Sequence, residues 1–153
     1  KKFSLCFSRS PTAEREGTEA GALTLGGVDE RFDISPMVYT PDASKGRSGF
    51  FSVEVRRVWL RDGSAGESAK SSKTSPSDSV KALEVSEAIL NTGGIIVDSG
   101  TTDTYWNRGI ASAFQKVFKE MSGRDYSNSG LTLTHEELMA LPTILFQLKS
   151  SQP

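Results

Sequence analysis

The stretch Gly93-Gly94-Ile95-Ile96-Val97-Asp98-Ser99-Gly100-Thr101-Thr102 decides how the chain is read. Three β-branched residues, Ile95 to Val97, run straight into an aspartate. Such a triplet suits a strand, and its lack of polar alternation predicts a buried one. Asp98 then falls where that strand ends, inside the protein or on the floor of a cleft. A carboxylate taken out of water needs partners, because its desolvation is costly. Ser99, Thr101 and Thr102 offer hydroxyl donors, and Gly100 lets backbone N–H groups approach closely. The expectation is a strand-end carboxylate inside a cage of small donors, which is the setting a catalytic aspartate needs.

The bulk properties bound the rest. The chain has 153 residues, room for one domain or part of one. Hydrophobic residues make up 36% and the formal net charge is -1, so no broad field favours nucleic acid or an anionic membrane. No apolar run approaches the ~18 residues of a membrane span. One cysteine and one histidine exclude a zinc site of the Cys/His kind, and no metal or cofactor is expected. Cys6 cannot form an internal disulfide; it is expected to be a small buried hydrophobe, the alternative being a disulfide half whose partner lies elsewhere. The chain begins Lys1-Lys2-Phe3-Ser4 without an initiator Met and already alternates like a strand, and Leu145 to Lys149 stops just after a strand-like run. It reads as cut from something longer.

In order, residues 3 to 8 alternate with period two and predict a strand. Residues 10 to 21 form a polar loop, and Ala22 to Leu25 a short strand ended by Gly26-Gly27. Val28 to Asp33 is a turn region, and Met37 to Thr40 predicts another short strand between Pro36 and Pro41. After a loop at 44 to 49, Phe50 to Leu60 is the longest strand signal. Its phase slips around Arg56-Arg57, which predicts a bulge or bend, and Trp59 is expected to be half-buried. Between Ser64 and Ser79 stand seven serines and no large apolar residue. Such a segment cannot offset its ordering entropy, so residues 61 to 80 are expected to be an exposed, mobile insertion. A short strand near Leu83 to Val85 follows, then a loop. Gly109 to Met121 is the clearest helix, with Ile110, Ala113, Phe114, Val117, Phe118 and Met121 on one stripe. Asn107 can cap its start and Gly123 can end it. Thr134-His135-Glu136-Glu137 is a capping box; the short helix it starts is expected to turn Leu138 and Leu141 inward and to stop before Pro142. A final strand spans Pro142 to Leu148. Many short strands, two helices and no βαβ alternation predict a mainly β domain with inserted helices.

The motif and its surroundings resemble the C-terminal lobe of the pepsin-like aspartic proteases. Ile95-Ile96-Val97-Asp98-Ser99-Gly100-Thr101-Thr102 is similar to the family's second active-site signature. Phe3-Ser4-Leu5-Cys6 resembles the strand leading into that lobe, and Gly21 to Asp29 its Gly-x-Leu-x-hydrophobic-Gly-Gly-x-Asp element. Phe50 to Leu60 and Leu141 to Phe146 resemble the strands before and after the second aspartate. The resemblance covers nearly the whole chain in the right order, nearest in texture to the β-secretase-like and plant-type branches. The serine-rich insertion is not typical of the family. The resemblance implies that residues 1–153 are part of the C-terminal lobe of a bilobal acid protease acting on a polypeptide substrate, in an endomembrane, vacuolar or secreted setting.

The chemistry the resemblance implies is hydrolysis by a water held between two aspartates, one from each lobe. Two adjacent carboxylates cannot both ionise easily, so they titrate as a unit. By position Asp98 would be one of the pair. Gly100 would give its backbone N–H and Thr101 its hydroxyl to the carboxylate; Ser99 would link the lobes, and Thr102 would face the substrate. The first-lobe aspartate and the flap tyrosine are absent, as is the hydrophobic-hydrophobic-Gly run expected after Leu148. The missing N-terminal lobe is therefore the required partner, and the chain alone is expected to be inactive.

Four other readings compete. A phosphatase or ATPase that phosphorylates a strand-end aspartate needs Asp-x-Asp or Asp-Lys-Thr-Gly-Thr, and position 100 is Gly. A half-size protease could pair two copies of Asp98, but the flap and closing strand are missing. A non-catalytic inhibitor or binding protein on the same fold usually loses part of the cage that is intact here. Asp98 could also be a plain turn aspartate after a core strand, a reading the flanking matches weigh against. His135 and Glu136-Glu137 read as a solvated helix start. Trp106 reads as core packing, with a pocket-lining role as the alternative.

Overall fold

The structure is a computed structural model. It describes residues 2–7, 21–27, 38–47, 49–63, 80–101 and 103–150. The chain folds as two units, Lys1–Tyr39 and Thr40–Pro153. Of the loop expected at 10–21 and the insertion expected at 61–80, residues 10–20 and 64–79 lie outside the described residues, as does the turn region at 28–33, whereas Gly21, Arg61 and Val80 lie in strands.

In the first unit, strands β1 (Phe3–Phe7) and β2 (Gly21–Leu25) form an antiparallel pair in which Phe3 faces Leu25 and Leu5 faces Leu23. Period two places Phe3, Leu5, Phe7, Leu23 and Leu25 on the more exposed face. Ser4, Cys6, Ala22 and Thr24 take the half-buried one. Cys6 is thus half-buried rather than a core residue, because it shares the small-residue face of a two-stranded sheet. Residues 38–40 form no strand, contrary to the expectation for Met37 to Thr40, of which Met37 lies outside the described residues.

The second unit is built on the long strand signal, which splits at Glu54 into β3 (Phe51–Val53) and β4 (Val55–Arg61). The expected phase slip is a bulge: the register against β7 (Thr143–Leu148) shifts between Val55 and Arg57. That extra residue turns Val55 to the same side as Val58 and Leu60, and all three are buried. β4 is the middle strand of a three-stranded antiparallel sheet, between β5 (Val80–Ala82) and β7. β3 leaves this sheet and pairs instead with β6 (Ile95–Val97). Glu54, at the split, is held by the Lys149 ammonium at 2.7 Å, while the Lys149 N–H donates to the Glu54 carbonyl.

Two helices cover the buried side of β4. α1 (Glu87–Leu90) is a single turn capped by Ser86, and α2 (Arg108–Ser122) is the long amphipathic helix. Ile110, Phe114 and Val117 of α2 meet Leu90 of α1, Leu83, and the three β4 residues in one core. Burying each such side chain contributes ~1.5–3 kcal/mol. The strand after the insertion lies at residues 80–82, not 83–85, and a helical turn replaces the expected loop. The Leu83 side chain enters the core while its N–H still bonds the Val58 carbonyl. The Val85 N–H then bonds back to the Leu83 carbonyl, which takes the chain off the ladder and into the Ser86 cap.

The last helix, α3 (His135–Met139), has the expected capping box, with the Thr134 hydroxyl accepting from the Glu137 N–H and the Glu137 carboxylate accepting from the Thr134 N–H. Leu138 does not point inward: it is 56% exposed. Five residues make little more than one turn, too short to present an apolar stripe, and α3 is held by its cap and by Arg124 on Glu137. The described residues are thus small antiparallel sheets with few helices, a mainly β arrangement. No helix among them is long and apolar enough to cross a membrane.

Candidate functional site

Asp98 directly follows the last residue of β6. Positive φ at Gly93 and Gly94 bends the chain out of α1 and into that strand, a path that L-residues rarely follow. β6 is short, three residues paired antiparallel to β3 as Phe51↔Val97, Ser52↔Ile96 and Val53↔Ile95. The triplet forms the expected strand but not a buried one: Ile96 is 47% and Val97 60% exposed. Among the described residues β6 pairs along one edge only, and of its three residues only Ile95 packs against the core.

The Asp98 carboxylate is correspondingly open to solvent rather than buried. Both of its oxygens are nevertheless engaged. The Gly100 N–H donates to Oδ1 at 2.8 Å, and the Thr101 hydroxyl donates to Oδ2 at 2.5 Å. Gly100 suits this close turn, since a Cβ there would stand 3.3 Å from Oδ1. The Thr101 hydroxyl first, and the Gly100 amide second, hold the carboxyl below the usual aspartate range. Both bonds are made to the anion and so favour it. Ser99 is exposed beside Asp98 and contributes neither bond. Thr102, expected to face a substrate, lies outside the described residues.

Asp98 and Thr101 border a cavity of about 580 Å³. Most of its walls are apolar: Val53, Val55 and Val58 from β3 and β4, Ile95 to Val97 from β6, and Phe146 and Leu148 from β7. Trp106 lines it too, stacked on Phe146 at 5.7 Å and tilted against Phe114 at 5.4 Å. The indole therefore both packs on the core and faces the cavity. Asp103, Thr104 and Tyr105 also line it, residues the sequence reading did not single out. Their signal was only their nearness to Asp98. Among the described residues no group of three or more His, Cys, Asp or Glu side chains gathers to hold a metal ion.

Two asparagines frame the segment that carries Asp98. The Asn91 amide receives the Val55 N–H at 2.9 Å and donates to the carbonyls of Val55 and Glu87, each at 2.8 Å. Asn107 occupies the N-cap position of α2 but makes no side-chain cap bond, contrary to expectation. Its amide donates instead to the Ile89 carbonyl at 2.9 Å. The sequence offered no sign of Asn91's role, because its partner Val55 is far away along the chain.

Chemically, the site presents an ionised carboxylate with fixed lone pairs at the mouth of an apolar cavity. Such a group can accept a proton from a water or hold a cationic or hydroxyl-bearing ligand. No family model matches the chain, and neither a curated protein nor a solved structure matches it.

Proposed function

We propose that the chain supplies one of the two catalytic aspartates of an aspartic-type endopeptidase, as part of the C-terminal lobe of a pepsin-like bilobal fold. The observation that carries this reading is the hold on Asp98, one oxygen bonded by the Gly100 amide and the other by the Thr101 hydroxyl, beside an apolar cavity. The resemblance of Ile95 to Thr102 to the family's signature supports it further.

In this reading Asp98, kept anionic by those two donors, is the member of the pair that takes a proton from the attacking water. The water oxygen bonds to the peptide carbonyl carbon while the second aspartate gives its proton to the carbonyl oxygen. The tetrahedral diol then collapses, the C–N bond breaks, and the amine leaves with a proton returned by the pair. No covalent enzyme intermediate forms. The substrate is a polypeptide, and the second aspartate comes from an N-terminal lobe in the parent protein.

The test is a peptidase assay at roughly pH 3 to 5, where such pairs share one proton. The chain alone is expected to cleave nothing, its full-length parent to cleave, and D98N in the parent to abolish cleavage. Activity in the isolated chain would refute the requirement for a second lobe. An inactive parent with Asp98 intact would instead point to a binding or inhibitory protein on the same fold.

A further inference from the structure

We propose that Asn91 and Asn107 are positioning residues for Asp98, two side-chain amides that together lock the register of β6. The β3–β6 ladder is only three residues long. In a strand a slip of one residue turns every side chain to the opposite face. Here a slip or a fraying of the strand end would move Asp98 relative to the cavity and loosen the turn in which Gly100 and Thr101 hold it. Such a short ladder entered through Gly93 and Gly94, both at positive φ, specifies its own register weakly. The two amides supply what the ladder lacks.

Asn91 fixes the upstream end. It engages both backbone groups of Val55 in the way a neighbouring strand would, and it ties them to the last turn of α1. Val55 lies two residues from Val53, the partner of Ile95. The clamp therefore sets the distance from the end of α1 to the start of β6. Asn107 fixes the downstream end by holding the start of α2 to the Ile89 carbonyl on the same α1 turn. There the two helices are already close, since a Cβ on Gly109 would meet the Ile89 side chain at 2.7 Å. The segment between the asparagines, with Asp98 in it, is thus a loop tied at both ends to one helical turn. The lock rests on the proposed role of Asp98 for its meaning, but its geometry is independent of any activity.

The experiment follows the Asp98 side-chain carboxyl carbon by NMR through an acid titration, with the signal assigned by its loss in D98N. Hydrogen exchange of the Gly100 amide is measured alongside. In Asn91→Ala and in Asn107→Ser the Asp98 midpoint is expected to rise toward the ordinary aspartate range. Gly100 exchange should accelerate roughly fivefold to tenfold, the loss of one ordinary hydrogen bond. Serine suits the N-cap position of α2 but is too short to reach Ile89. The amide of buried Leu83, bonded to the Val58 carbonyl, reports whether the fold persists and should keep its protection from exchange. If Asn91→Ala alone loses the fold, Asn107→Ser decides. Folded variants with unaltered Asp98 titration and Gly100 exchange would overturn the lock. Shifts in both variants together with an inactive parent would leave the lock standing and refute the proteolytic reading.

Discussion

Thr101 donates to one oxygen of Asp98 and the Gly100 amide to the other, so each bond can be removed or crowded separately. Replacing Thr101 by Val removes the hydroxyl at nearly constant volume. The Asp98 carboxyl should then titrate higher, since the largest influence holding it down is gone. Under the proposed proteolytic role, kcat of the parent is expected to fall by about tenfold or more while KM changes little, as befits a group that tunes a base. Steady-state kinetics across the acid range would check this. An unchanged profile would mean that the Thr101 bond has no part in the chemistry. The motif made this pair of donors legible, because residues two and three positions after a strand-end aspartate are within its local reach. The openness of the carboxylate was not legible. It depends on which layer packs over β6, and no local pattern carries that.

At the scale of elements, α2 carries the packing and α3 shows the limits of pattern. Phe114 is buried among Trp106, Phe118 and Tyr126, with ring centroids 5.2 to 5.8 Å away. Phe114→Ala should cost ~3–5 kcal/mol and shift the denaturant midpoint of the second unit accordingly. Because Trp106 also lines the cavity, its fluorescence is expected to report the same change. In α3, Thr134→Ala removes one half of the capping box and should cost about 1 kcal/mol locally, visible as faster amide exchange at Glu137. The capping box could be read directly, since both partners lie within one helical turn. The bulge at Arg56 was legible from the slip in apolar phase. The β5 boundary and the α1 turn were not, because they follow from Leu83 being pulled into the core.

At the scale of the molecule, four carboxylates among the described residues tie stability to pH in the same direction. Asp42 is held below its usual value chiefly by the Ser44 hydroxyl, Glu54 by Lys149, Asp98 by Thr101, and Glu137 first by the Thr134 N–H and then by Arg124. A carboxyl depressed in the folded state adds stability that is complete above its unfolded value. That stability is lost as pH falls through the folded value. Urea unfolding is therefore expected to show a lower midpoint at about pH 3 than at about pH 7, with the decline beginning near pH 4. All four groups are solvent-screened, so each share is small. D98N should remove only its own part of the slope. A midpoint that stays level from about pH 7 to about pH 3 would show that these bonds do not favour the folded state.

The amino-acid sequence alone determined the mainly β class, the long helix, the bulge, the capping box, and the aspartate with its two nearest donors. All of these rest on periodicity or on partners a few residues apart, where chain geometry leaves little choice. Only the tertiary structure decided that β6 is half exposed and that Asp98 opens on an apolar cavity walled by β3, β4 and β7. It also decided that Asn91 reaches Val55 and that Asn107 turns from its cap to Ile89. Those outcomes depend on segments distant in the chain competing for the same surfaces and hydrogen bonds, and that competition is settled only when the chain is folded.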